Sequence, residues 1–453
     1  MIEQFFSILD SVDNFLWSII GFPAIIFVGL WLTIRSKCIQ LRLFPEVFRL
    51  FFHYLFKKSD RKKGVASGVH PMTAFFAGLG GSVGIGNVVA IATAVQIGGP
   101  GAVFWMWITA IIGSLVKYSE VFLGLRYRVA DADVGFRGGA MYYLKRAIGP
   151  WAGIAFCFLM CIYGIELFQF SVMTHTISTN FAIDNTLVTL ILLALVILAE
   201  LGGIARVGTI AAVVIPVFIV MYLTMGTYVL CMFSSSLEQM FSDIFSQAFN
   251  PKAGFGAFVG TSLLMTISQG IRRGCYSSDI GVGYASIIHS ASRVKNPARQ
   301  AALVIFEVFF DSFVVCTMSM FLVLITGVHQ DTSISTSLVE HALGKFFPFM
   351  HIVMPFFLFL LGYSTVITYF CAGIKTAEYI APKWGRRVYY AYAIVVLLIF
   401  SFVETTQALI VMSIVQAALL GLNLFAIFRL RREITFDFEE SEVKAGQGLA
   451  TTT

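Results

Sequence analysis

The sequence predicts an all-α, multi-pass membrane protein of about eleven transmembrane helices, and three observations carry that prediction. Of its 453 residues 58% are hydrophobic and 12% charged, at a mean hydropathy of +0.84. A soluble domain carries about a quarter charged residues and cannot hide so much apolar surface. Apolar runs of roughly twenty residues, the length that crosses a hydrocarbon core, recur along the chain. The Lys and Arg residues collect on alternate connections between those runs.

Taken in order, the N-terminal MIEQFFSILD lacks the basic region of a cleavable leader, so residues 1–34 read as a retained extra span centred near Ile25. Residues 35–69 are strongly basic, from Arg35 through Lys57, Lys58, Arg61, Lys62 and Lys63, with apolar residues interleaved at helical spacing. That pattern predicts an amphipathic connection on the cytoplasmic membrane surface, drawn to anionic lipid. Residues 70–250 supply five spans, centred near Val83, Ile112, Phe158, Leu193 and Ile219. Residues 251–432 supply five more, near Leu264, Val315, Leu358, Val396 and Val415. Residues 433–453 read as a cytoplasmic tail, disordered from Phe436 onward.

With the basic connection inside, alternation also puts inside Arg126, Arg128, Arg137, Lys145 and Arg146, then Arg206, then Arg293, Lys295 and Arg299. Lys383, Arg386, Arg387 and the Arg429–Arg432 cluster follow. The opposite connections carry Asp184, Glu238, Asp243, Asp331, Glu340 and Glu404, with Lys252 and Lys345 the basic exceptions. The N-terminus is therefore expected outside and the C-terminus in the cytoplasm. The net charge of +6 is a topology signal and not a nucleic-acid patch. The seven cysteines show no metal or disulfide spacing and read as small hydrophobes.

Two spans carry interruptions. GLGGSVGIGNVV, Gly78–Val89, sets five glycines and Asn87 in mid-span. Gly84-Ile85-Gly86 loosely resembles a dinucleotide fingerprint, but no strand precedes it, and Trp105 to Ile108 stand where an acidic residue belongs. The glycines either let helices approach closely or unwind the backbone. In the second case freed carbonyls hold a cation and the next half-helix holds a carboxylate. Asn87 favours the second. LMTISQGIRRG, Leu264–Gly274, repeats the design with Thr266, Ser268, Gln269, Gly270 and two arginines. Five spans separate the two starts, so they enter from opposite faces. Paired interruptions in inverted halves point to the midplane site of a secondary transporter.

These residues also carry a resemblance. GSVGIGNVVAIATAVQIGGPGAVFWMW, KYSEVFLGLRYR, QGIRRGCYSSDIGVGYASIIHS and NPARQAALVIFEVFFDSFVVCTM are similar to the alanine or glycine to cation symporter family of the amino acid-polyamine-organocation superfamily, over about His70 to Arg429. The resemblance implies a leucine-transporter-like fold, a five-plus-five inverted repeat with one extra N-terminal helix. It implies sodium-coupled uptake of small neutral amino acids (alanine, glycine, D-alanine or serine) by a monomer in the cell membrane, with no organic cofactor. Carried over, it implies one sodium on the carbonyls of Gly80 and Val83 and the hydroxyls of Ser364 and Thr365. A second cation would lie at Asn87 and Ser82. The substrate carboxylate would meet the amides of Gly84, Ile85 and Gly86, and its ammonium the carbonyls of Ile267 to Gly270, with Gln269 among them. Gln169 would lie beside the substrate. Arg273 matches a family arginine and reads as an inner-gate salt bridge, following the unwound segment toward the cytoplasm. The chain departs from the family at Ile85, at Thr368-Tyr369, at Ile374 and at Ser278-Asp279, which stand where the family has Asn-Glu.

Ionisable residues inside spans are costly, so each is a site candidate. Lys117 and Glu120, three apart on one helix face, either pair with each other or gate. Glu307 and Asp311 share a face and either pair with Arg272 or Arg273 or carry a proton. Glu166 shares a face with Gln169 and either lines the substrate route or caps a polar cluster. A proton-coupled symporter of the same fold is thus the alternative to sodium coupling. An intramembrane enzyme lacks a His-Glu-x-x-His pair, a nucleophile elbow or paired aspartates. A channel lacks repeated charged rings.

Overall fold

The computed structural model describes residues 2–56, 68–131, 135–250, 263–331 and 337–438. Lys57 to Lys63, Lys252 and residues 439–453 lie outside them. The chain opens with α1 (Ile2–Phe15), which continues through a π turn at Leu16–Gly21 into α2 (Phe22–Arg35) as one apolar span, Gln4–Arg35. The connection holds α3 (Ile39–Arg42) and α4 (Phe44–Phe56). Helix α4 buries Val47, Leu50, Phe51 and Tyr54 on one face, with Phe51 4.6 Å from the Phe306 ring.

Helix α5 (Pro71–Ser82) starts where His70 caps the Met72 amide and Pro71 presets the first turn. It ends as Gly84 becomes extended; a short 3-10 turn at Ile85–Asn87 leads into α6 (Ala90–Gly98), bent 55° from α5. The long α7 (Gly101–Arg126) follows, then a hairpin of β1 (Val129–Asp131) on β2 (Gly135–Arg137). Arg128, beside that hairpin, donates to the carbonyls of Ser290, Ser292 and Val294, and burial pulls its guanidinium pKa down to about 10.

Next come α8 (Ala140–Ala147), α9 (Pro150–Tyr163) and α10 (Leu167–Phe181), the last two interrupted at Glu166, whose φ is +53°. Then follow α11 (Asn185–Glu200), α12 (Gly203–Met232) and α13 (Leu237–Gln247). After residues 251–262, α14 (Leu263–Ser277) runs to a second break and α15 (Tyr284–Ser290) resumes beyond it. Then α16 (Pro297–Val308), capped by Asn296, passes through a π segment (Phe309–Cys316) into α17 (Thr317–Ile325). The chain closes with α18 (Leu338–Gly344), α19 (Met350–Ile380), α20 (Gly385–Phe400) and α21 (Thr405–Arg429).

Ten of the eleven expected centres fall in helices, and the eleventh, Val83, at the first break. Among the described residues seven helices are long and apolar enough to cross a membrane, eight with the bent pair, and Asn185–Glu200 is shorter and apolar. Helix α7 is central, touching α14, α15, α16 and α2, while α5 packs on α12 and α19.

The expected disorder from Phe436 is corrected for the described residues. Beyond α21 the chain folds back along α7: Tyr118 donates to the Thr435 carbonyl at 2.7 Å and stacks on Phe436 at 5.2 Å. Glu433 accepts from Tyr127 at 2.7 Å and from Arg126 at 3.1 Å, and Ile434 is buried. Apolar side chains and an ion pair hold a segment that composition alone reads as a solvated tail.

Candidate functional site

The first interruption spends its glycines in two ways. At Gly78, Gly80 and Gly81 the helix is regular and the missing side chain admits neighbours: a Cβ on Gly80 would stand 2.6 Å from both Ser364 Oγ and the Ala211 Cβ. At Gly84 the backbone itself leaves the helix, and the freed groups are taken up from distant elements. The Thr365 hydroxyl donates to the Gly80 carbonyl at 3.1 Å, and Ser319 donates to the Asn87 carbonyl at 2.6 Å. Ser364 Oγ, fully buried beside them, has no hydrogen-bond partner among the described residues. Three of the four expected sodium ligands, Gly80, Ser364 and Thr365, therefore converge. Val83, the fourth, stands at the helix end with its amide on the Leu79 carbonyl at 2.7 Å.

Gln169 also reaches this break. Its Oε1 accepts from the Ile85 amide at 2.9 Å, its Nε2 donates to Glu166 Oε2 at 3.2 Å, and a Cβ on Gly84 would fall 2.5 Å from its oxygen. The Gly84 amide is taken by Asn87 Oδ1 at 3.0 Å. Of the three amides at Gly84, Ile85 and Gly86, that of Ile85 is the one Gln169 takes up. Ser82 and Asn87 are already engaged. Ser82 Oγ holds the Lys117 ammonium at 2.6 Å, while the Asn87 amide donates to Asp311.

The second interruption is not where Gln269 and Gly270 predict it. Helix α14 is regular through Ser277, and the break lies at Ser278–Gly283, where Asp279, Gly281 and Gly283 have φ of +53°, +82° and +84°. Ile267, Gln269 and Gly270 consequently lie inside a regular helix, whose ladder already uses its main-chain carbonyls. Gly270 is a packing glycine: a Cβ there would stand 2.5 Å from the Ala102 carbonyl of α7. Arg273 precedes the break instead of following it, so the inner-gate placement is corrected too. Its neighbour Arg272 pairs with Asp13 and with Asn14 at 2.9 Å, on α1. At the end of the molecule that carries Arg137 and Arg386, both pair with Glu378, at 3.6 and 3.1 Å.

The buried charges pair across helices. Lys117 does not meet Glu120. Its ammonium donates to Ser82 Oγ and, at 3.0 Å, to the Ser278 carbonyl, so one cation bridges both breaks, with Glu307 3.7 Å away. Glu120 accepts from the Gly283 amide at 3.1 Å, holding the second break. Glu307 lies 2.9 Å from His289 Nε2, off the line of the ring N–H, and does not pair with Arg272 or Arg273. Asp311, in the π segment, receives the hydroxyl of Ser278 and the amide of Asn87.

Between the interruptions of α5/α6, α9/α10 and α14/α15 lies a small cavity of about 10 Å³, lined by Gly81, Ser82, Gly86, Asn87, Tyr163, Glu166, Gln169, Tyr276, Ser277 and Asp279. Larger clefts flank the two ends. One, of about 130 Å³, is lined by Arg137, Glu200, Lys375, Glu378 and Arg386. The other, of about 370 Å³, is lined by Asp10, Gln269, Arg272 and Arg273. Sequence reasoning missed Asp279 and Tyr276. The pair Gly281-x-Gly283 just beyond them was the available signal for a break there.

Comparison with known proteins fits this geometry. The pattern of the Sodium:alanine symporter family matches residues 2–450. A sodium/alanine symporter of Methanococcus maripaludis is 30% identical over 399 residues, 85% of this chain and 86% of the relative. A probable sodium/glutamine symporter of Bacillus subtilis is 28% identical, covering 94% of this chain and 88% of that one. The solved structure of MhsT in complex with L-phenylalanine is similar in fold, with a TM-score of 0.57 at 15% identity over 79% of this chain and 88% of that one. The chain belongs to the sodium:alanine symporter family. It is a multi-pass membrane transporter of the leucine-transporter-like fold, an amino-acid and cation symporter and not an enzyme.

Proposed function

We propose that this member of the family takes up small neutral amino acids such as alanine, glycine, D-alanine or serine by sodium-coupled alternating access, with its N-terminus outside and its C-terminus in the cytoplasm. The observation that carries the reading is the meeting of α5 and α19 at Gly80. A carbonyl freed near a helix break, the Thr365 hydroxyl on it and the unpartnered Ser364 Oγ supply hard oxygen atoms suited to a small hard cation. Thr365 now gives its proton to Gly80. When sodium takes that carbonyl, the hydroxyl rotates and turns a lone pair to the ion. The cation thereby ties α5 to α19, and its departure leaves the Thr365 bond in its place.

The amino acid occupies the neighbouring cavity, its carboxylate on the Ile85 and Gly86 side, displacing the Gln169 carbonyl oxygen from the Ile85 amide. The open space between these groups is about 10 Å³, room for about one water, so the site opens to admit even a small amino acid. The similarity to a sodium/alanine symporter and to a probable sodium/glutamine symporter supports an amino-acid substrate.

The test is labelled alanine uptake into proteoliposomes under an inward sodium gradient, a proton gradient or neither. Accumulation that needs sodium, with Ser364→Ala raising the half-saturating sodium concentration about tenfold, supports the reading. Uptake driven by protons alone overturns sodium coupling and moves the coupling step to Glu307 or Asp311.

A further inference from the structure

The central cavity is acidic beyond what the sodium site uses. Glu166 and Asp279 both line it, no Lys or Arg does, and each is almost wholly buried, at 1% and 3% exposure. Both hold a left-handed backbone with φ of +53°, a conformation unfavourable for a side-chain-bearing residue that collects at functional sites. Asp279 Oδ2 has no hydrogen-bond partner among the described residues, and neither does the hydroxyl of Tyr276, 6% exposed and lining the same space. Buried polar groups are nearly always paired, so an unpaired acceptor and an unpaired donor around one cavity call for a ligand that offers both.

Gly86 packs against the Tyr276 ring, where a Cβ would come 3.3 Å from Cε1. This places the donor beside the first break and the two acids on the second and third. Lys117, whose ammonium touches the Ser278 carbonyl, is shared with Ser82 and Glu307, and Glu166 already accepts from Gln169 at one oxygen, which leaves Asp279 Oδ2 as the open acceptor.

We propose that Glu166 and Asp279 form the subsite for the substrate's ammonium group, with the Tyr276 hydroxyl meeting its carboxylate. The inference rests on the amino-acid reading above and changes how the amine is read, from main-chain carbonyls to a side-chain acid pair. The regular helix at Ile267 to Gly270 supports that change, since its carbonyls are spent in the ladder. Small α-amino acids with a free ammonium are accepted, and the hydroxy acid of the same shape is rejected.

The experiment uses the full-length protein in proteoliposomes under a sodium gradient, with alanine, lactate and alaninamide competing against labelled alanine. Lactate should compete about 100-fold or more weakly than alanine, because a site built around a charged partner rejects the analogue that lacks it. Asp279→Asn should raise the KM for alanine at least about 30-fold while the half-saturating sodium concentration moves less than twofold, and Asp279→Glu should recover most of the loss. Lactate competing as well as alanine, which needs no variant to fold, overturns the subsite. So does an unchanged KM in Asp279→Asn, even while Ser364→Ala still weakens sodium dependence and the symport reading stands. Wild-type protein that accumulates no amino acid under any gradient overturns the symport reading itself, and the subsite with it.

Discussion

Gly270 and Gly283 stand on either side of the start of the second break, thirteen residues apart in sequence, and do opposite things. Gly270 is fully helical and brings α14 onto α7, where even a methyl group would meet the Ala102 carbonyl at 2.5 Å. Gly283 has φ of +84° and ends the unwound segment. The first break shows the same division, with Gly80 packing and Gly84 breaking. A glycine inside a membrane helix is therefore a close contact or a break, and its neighbours in space decide which.

Substitutions put this division to the test, and the largest effect belongs to Gly283→Ala. It forces a Cβ into a left-handed residue, costing about 1–2 kcal/mol, and sets that atom 2.8 Å from the Phe156 ring. Loss of uptake with a clearly lowered melting temperature is the expected result. Gly84→Ala comes next. Its Cβ would stand 2.5 Å from Gln169 Oε1 and 2.6 Å from Thr365 Oγ1, so the KM for alanine should rise about tenfold at near wild-type melting temperature. Gly270→Ala is the mildest for transport. Overpacking against α7 should lower stability by about 1–3 kcal/mol, read as a lower melting temperature, with KM unchanged. A KM that rises in Gly270→Ala as it does in Gly84→Ala would restore the second break to Gln269 and Gly270.

Much of the fold was legible because apolar length and charge alternation are averages over many residues. The first break was legible too, since Asn87 beside the glycines marked a backbone in need of local hydrogen bonding. The second was misread because polar residues at Ser268 and Gln269 look like a binding segment, yet α14 carries them inside a regular helix. Lys117 shows a similar limit. Spacing of three put Glu120 within reach, but the ammonium turned to Ser82 and Glu307, and Glu120 to the Gly283 amide. Local spacing gives neighbours on one helix, and tertiary packing chooses among them. Asp279 and Tyr276 were not singled out because an unpaired Oδ2 and an unpaired hydroxyl are properties that only the packed molecule has.

The strap beyond α21 has a consequence for how the molecule is made. The hydroxyl of Tyr118 waits for a carbonyl 317 residues later in the chain. At a synthesis rate of about 5–20 residues per second that interval is roughly 15 to 60 s. For that time the end of α7 lacks this contact, which only the synthesis of Thr435 and Phe436 supplies. The strap thus reports that the last helix has arrived, and ribosome stalling in the final stretch would leave the oldest central helix as the one still unfinished.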